Sequence, residues 1–178
     1  MPRAGKRRFL ATTALTALVS GTLTGVSAGA STATCATAGS GAQLYGVAAT
    51  STTNAWAVGG RRGTAAARTL IEQWNGAGWC RVPSPNPSGT SEPSGLNSVS
   101  ATSATDAWAV GSFDSATGGE RTLILHWDGT SWKRVASPDP SGTYKENFLI
   151  GVAAVSASDA WAVGHYSAST GQRTMLLH

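Results

Sequence analysis

The sequence predicts an all-β protein built from repeats. Three observations carry that expectation. A tryptophan-centred phrase is written three times, each copy divides into short apolar segments separated by turn residues, and no stretch beyond the N-terminal leader sustains a helical period. The phrases are "TTNAWAVGG" at residues 52–60, "ATDAWAVGS" at 104–112 and "ASDAWAVGH" at 157–165. An opening Leu recurs at 44, 96 and 149, and the motif Trp at 56, 108 and 161, so the period is 52 to 53 residues. That length excludes the short helical solenoid repeats and suits a propeller blade of four antiparallel strands. The expected fold is therefore a β-propeller in which about two and a half blades are present.

Taken in chain order, residues 1–30 read as a secretory signal peptide. "MPRAGKRR" is a positive n-region, "FLATTALTALV" is an apolar run of signal-peptide length, and "AGA" at residues 28–30 offers small residues for cleavage. After Val19 the segment fills with Ser, Gly and Thr, short of the roughly 18 apolar residues that a membrane span needs. "KRRFL" resembles a twin-arginine signal only distantly, so general secretory export to the extracellular space is expected, with no span left after cleavage. Residues 31–43 form a lead into the repeats. It holds Cys35, whose counterpart is Cys80. In an exported chain two cysteines are expected to pair, closing a loop of about 45 residues worth on the order of 4 kcal/mol in the chain-entropy model.

The blade repeats are residues 44–95, 96–148 and the incomplete 149–178. In each, "LYGVAAT", "LNSVSAT" or "LIGVAAV" supplies a first strand and "AWAVG" a second. "RTLIEQW", "RTLILHW" or "RTMLLH" supplies a third. "WCRVPSP" and "WKRVASP" supply a fourth that ends at prolines, which cannot continue a central strand. "NGAG" and "DGTS" between third and fourth strands read as tight hairpin turns. The third copy stops at "RTMLLH", which is read as a truncated piece of a longer ring. The other reading is a short chain that associates with copies of itself to cover its open faces.

The combination of "AVGG", a spacer, and then "QWNGAGW" or "HWDGTSW" resembles a kelch-type, galactose-oxidase-like propeller blade. It is more closely similar to the "DAWAVG…HWDGTSW" repeats of secreted bacterial propeller proteins of actinobacterial type, over residues 44–178. The resemblance implies the fold and little about activity. "WDGTSW" also resembles the Asp-box hairpin of sialidase-like propellers, but its spacing departs from that pattern and sialidase chemistry is not implied. Copper oxidases on kelch-like propellers need Tyr, His and Cys ligands in an arrangement that these residues do not show.

Charge excludes one class of partner. Of 13 basic residues, Arg3, Lys6, Arg7 and Arg8 lie in the leader, which leaves nine bases against nine acids in the mature chain. No basic run remains to neutralise phosphates, so nucleic acid is not an expected partner. No nucleophile elbow, metal-ligand cluster or phosphate loop is written, so no cofactor, metal or catalytic residue is assigned.

Variation among copies gathers in the loops between second and third strands and in the second halves of the connectors, expected at one end of the strands. Arg61, Arg62, Phe113, Asp114, Tyr144, His165 and Tyr166 lie there and are the candidate ligand-binding residues. The leading function is a secreted, non-enzymatic scaffold for an extracellular glycan or protein. The alternative is a propeller glycoside hydrolase or polysaccharide lyase whose catalytic carboxylates lie partly in other blades. Asp114, Glu120 and Glu146 stand in suitable loops, with nothing in the sequence that pairs them. A cell-envelope structural module without a small ligand is a third possibility. The seven tryptophans recur at shared positions and are expected to be packing between blades. Asn54, Asp106 and Asp159 are expected to fix the turn before the second strand. Arg68, Arg121 and Arg173 are expected in repeated ion pairs between blades, and His126 and His178 as satisfied strand residues.

Overall fold

A computed structural model describes Cys35 and residues 39–142 and 146–178. The expected signal peptide and the candidate Tyr144 lie outside the described residues. The described chain is all-β, with eleven strands in three antiparallel sheets. The first sheet is β1 (Ala42–Ser51), β2 (Asn54–Arg61), β3 (Arg68–Trp74) and β4 (Trp79–Arg81). The second is β5 (Ser94–Ser103), β6 (Asp106–Asp114), β7 (Glu120–Trp127) and β8 (Trp132–Val135). The third is β9 (Asn147–Ser156), β10 (Asp159–Ala168) and β11 (Gly171–Leu177). Each sheet is a plain meander in sequence order.

The glycine that ends the "AWAVG" phrase is forced by a register shift. In the second sheet the ladder slips between Leu96 and Ser98, which turns the carbonyl of Gly95 onto Gly111. A Cβ on Gly111 would stand 2.1 Å from that oxygen, and the same holds for Gly59 against Gln43 and Gly164 against Phe148, at 1.9 and 1.8 Å. No side chain fits there. The third-to-fourth hairpins need a different freedom. Gly76 and Gly129 adopt φ of +92° and +91°, whereas no non-glycine residue among those described has positive φ. Asn75 and Asp128 keep ordinary backbone angles and contribute through their side chains. Asn75 Oδ1 accepts from the N–H groups of Ala77 and Gly78, and Asp128 Oδ1 from those of Thr130 and Ser131, all at 2.9 Å. The expected tight hairpin turn is thus a one-glycine turn capped by its leading Asn or Asp side chain.

The sheets pack in sequence order, with β5 flanked by β1 and β9. Asn97 Nδ2 donates to the Leu149 carbonyl at 2.8 Å, and the hydroxyls of Ser98 and Ser100 accept from the N–H groups of Val152 and Ala154. Between the first and second sheets lies a core of Trp56, Val58, Ile71, Ala107, Ala109, Leu123, Leu125, Trp127 and Trp132. Trp56 is fully buried, with the rings of Trp127 and Trp132 centred 5.0 and 5.1 Å away. Burying such a ring removes about 150 to 250 Å² from water, worth roughly 4 to 6 kcal/mol at about 25 cal/mol per Å².

Packing between the second and third sheets is leaner, built on Val110, Leu149, Ala162 and Met175. Trp108 stacks on His126, its partner across the β6–β7 ladder, with centroids 4.2 Å apart. Trp161 repeats the arrangement on His178 and is 44% exposed. Inter-sheet packing therefore describes Trp56, Trp127 and Trp132, and only in part the later motif tryptophans.

Candidate functional site

The repeated polar residues are wired within sheets. Asp106 is buried, takes a hydrogen bond from the Thr102 hydroxyl, and its Oδ1 lies 2.7 Å from His126 Nε2. Asp159 and His178 repeat the pair at 3.0 Å, while Asn54 accepts from Thr50 at 2.8 Å in the first sheet. The turn that these residues were expected to fix is held instead by Ser51, Ser103 and Ser156. Their hydroxyls accept from the N–H groups of Thr53, Thr105 and Ser158. His126 is, as expected, a satisfied strand residue, whereas His178 lies one residue past the last strand and is exposed.

The shared halves of the connectors are clips. In "SPNPSG" and "SPDPSG", Asn86 and Asp139 accept from the backbone N–H of Thr69 and Thr122 at 2.9 and 2.8 Å. The same threonine hydroxyls meet Ser84 and Ser137 at 2.7 and 2.6 Å. With its first half fixed to the start of the third strand, the first connector brings its end, Pro93–Gly95, against the second-to-third loop at Gly63–Ala67. Cys35 and Cys80 form a disulfide, which ties the lead to β4, the short edge strand of its sheet.

At that end a cleft of about 610 Å³ opens between the first and second sheets. Arg61, Arg62, Phe113, Asp114, Tyr45 and Glu120 are among its walls. Four of the seven candidate residues therefore meet in one place. Phe113 contributes a buried wall, with the guanidinium of Arg134 lying 4.6 Å from its ring centre. Asp114 and Glu120 are partners at the end of the β6–β7 ladder where the 115–119 loop joins the two strands. Glu120 accepts from the Ser112 hydroxyl at 2.5 Å. Burial pushes its carboxyl above the usual glutamate value, the Ser112 bond opposes this, and the charges of Asp114 and Glu146 add to the rise. A carboxyl with a raised pKa thus stands beside a second carboxylate, a pairing the sequence did not disclose.

His165 and Tyr166 are not part of the cleft. His165 stacks on Phe148 with centroids 5.0 Å apart, and Tyr166 is half-buried against the core between the second and third sheets. The repeated arginines diverge as well. Arg121 meets Asp139 at 3.7 Å within its own sheet and its connector, and Arg173 bonds Thr170. Neither is the inter-blade ion pair that was expected. Arg68 has Asn86 where Arg121 has Asp139, and so has no carboxylate at that position. Arg81 and Asn86 escaped the sequence reading, although comparing each copy with the next at Arg61/Phe113 and Asn86/Asp139 would have exposed the difference.

Among the described residues no group of three or more His, Cys, Asp or Glu could hold a metal ion. No helix among them is long and apolar enough to cross a membrane. No family model matches the chain, and no curated protein matches it.

Proposed function

We propose that the chain is a secreted, non-enzymatic β-propeller scaffold that binds an extracellular glycan or protein through the cleft at the loop end of its first two sheets. The observation that carries this reading is the convergence of Arg61, Arg62, Phe113 and Asp114 on one cleft, at the end where the copies differ. A rigid sheet stack that presents variable loops is a common binding arrangement. The disulfide fits an exported protein. Support for blades of a larger ring comes from the third sheet. Val163 is 47% exposed, yet its counterpart Val110 is fully buried against the third sheet. That face is shaped for another sheet of the same kind. Binding to a panel of glycans and cell-envelope proteins tests the proposal: alanine at Arg61 and Arg62 abolishes binding if the cleft is the site, and leaves it unchanged if it is not.

The Asp114–Glu120 pair favours a second reading, a glycoside hydrolase. There a carboxyl whose burial favours its protonated form serves as acid and the neighbouring carboxylate as base or nucleophile. Release of new reducing ends, lost in Glu120→Gln and Asp114→Asn, supports hydrolysis. Binding without turnover supports the scaffold.

A further inference from the structure

Arg61, Arg68 and Arg81 converge on a small cavity of about 220 Å³ in the first sheet, together with Ser84, Asn86 and Thr69. Arg61 and Arg68 are direct partners across the β2–β3 ladder, and Arg81 comes from β4. The second sheet is an internal control, because it has the same backbone with different charges. There Phe113 replaces Arg61, Asp139 replaces Asn86, and Arg134 occupies the place of Arg81. Its two arginines each have a partner, Asp139 at 3.7 Å from Arg121 and the Phe113 ring under Arg134. In the first sheet both of these partners are gone and a third guanidinium has been added. Among the described residues none of the three arginines makes an ion pair. Glu72 stands across the ladder from Arg81.

Like charges held this close repel, and the arrangement costs stability unless an anion joins them. Burial, followed by the charges of Arg81 and Arg68, pushes the Arg61 guanidinium below its usual value, yet such a group stays protonated in proteins. Guanidinium forks match tetrahedral and planar oxyanions with paired N–H donors, and the Ser84 and Thr69 hydroxyls offer further donors.

We propose that this cavity is an oxyanion-binding site, built to take a sulfate, phosphate or carboxylate group. Arg61 also lines the larger cleft, so the site adjoins it, and an acidic sugar bound in the cleft would place its charged group here. The oxyanion site stands whether or not the cleft binds a glycan.

The test is titration of the chain with sodium sulfate, sodium phosphate and sodium glucuronate at constant ionic strength in chloride. The readouts are thermal stability and isothermal calorimetry. At least one oxyanion is expected to raise Tm and bind with one-to-one stoichiometry, and the strongest identifies the group. Asn86→Asp rebuilds the ion pair of the second sheet, so it should weaken binding at least about tenfold while leaving the protein as stable or more so. Arg81→Gln, at an exposed position, should weaken binding similarly without unfolding the sheet. Absence of any oxyanion effect beyond chloride, or unchanged binding in both variants, overturns the proposal. Loss of glycan binding with oxyanion binding intact would count against the cleft alone.

Discussion

Replacing Gly111 by Ala tests why the repeated phrase ends in glycine. An added Cβ would lie 2.1 Å from the Gly95 carbonyl oxygen and 2.7 Å from Leu96 Cα, both backbone atoms held in the β5–β6 ladder. Neither can move without breaking ladder bonds around buried Leu96. The expected cost lies at the upper end of overpacking, about 3 kcal/mol. A gain of roughly 0.5 to 1 kcal/mol from removing glycine's backbone freedom does not offset it. Gly95 provides the control on the same bulge, since a Cβ there meets nothing within 4 Å. Gly95→Ala should be neutral or stabilise by up to about 1 kcal/mol. With a urea m-value of about 2 kcal/mol/M and that gain subtracted, Gly111→Ala lowers the unfolding midpoint by about 1 M and Gly95→Ala does not lower it. If the two variants unfold at the same midpoint, the steric account of the motif glycine is wrong.

The other predictions concern the bridge, the polar pair and the cleft. Reducing Cys35–Cys80 should cost on the order of 4 kcal/mol by the chain-entropy model, read as a drop in unfolding midpoint with reductant. Asp106→Asn and His126→Gln should each destabilise by about 1 to 3 kcal/mol, because each leaves a partner unpaired. The double variant installs the Asn/Gln pair of the first sheet and should cost clearly less than the sum in a double-mutant cycle. Glu120 holds its proton more tightly folded than unfolded, so the stability it contributes is full below the unfolded glutamate pKa of about 4.3. That contribution is lost as pH rises through the raised folded value. Glu120→Gln should flatten Tm against pH over that range and raise Tm at neutral pH.

How much of the molecule was legible follows from what each kind of residue needs. Strand order and hairpins were readable because alternation, prolines and Asn/Asp-Gly pairs act over a few neighbouring residues, and the repeat supplied three comparisons at once. The cysteine pairing was readable because the sequence holds two cysteines. The roles of Asp106 and Asp159 were misplaced because the sequence shows what stands next to them, namely a turn, and not what the third strand brings 20 residues later. The cleft was half legible: variation pointed to Arg61, Arg62, Phe113 and Asp114, but the same rule promoted His165 and Tyr166, which pack elsewhere.

By itself the sequence determined the repeat, the strands, the disulfide partners and the positions where copies differ, because local backbone preferences and covalent chemistry are carried by short segments. Only the tertiary structure decided which variable positions share a cleft, that Asp114 pairs with Glu120 in the ladder, and that three arginines meet without the aspartate their neighbour sheet uses. Those outcomes depend on ladder register and sheet stacking, which join residues tens of positions apart.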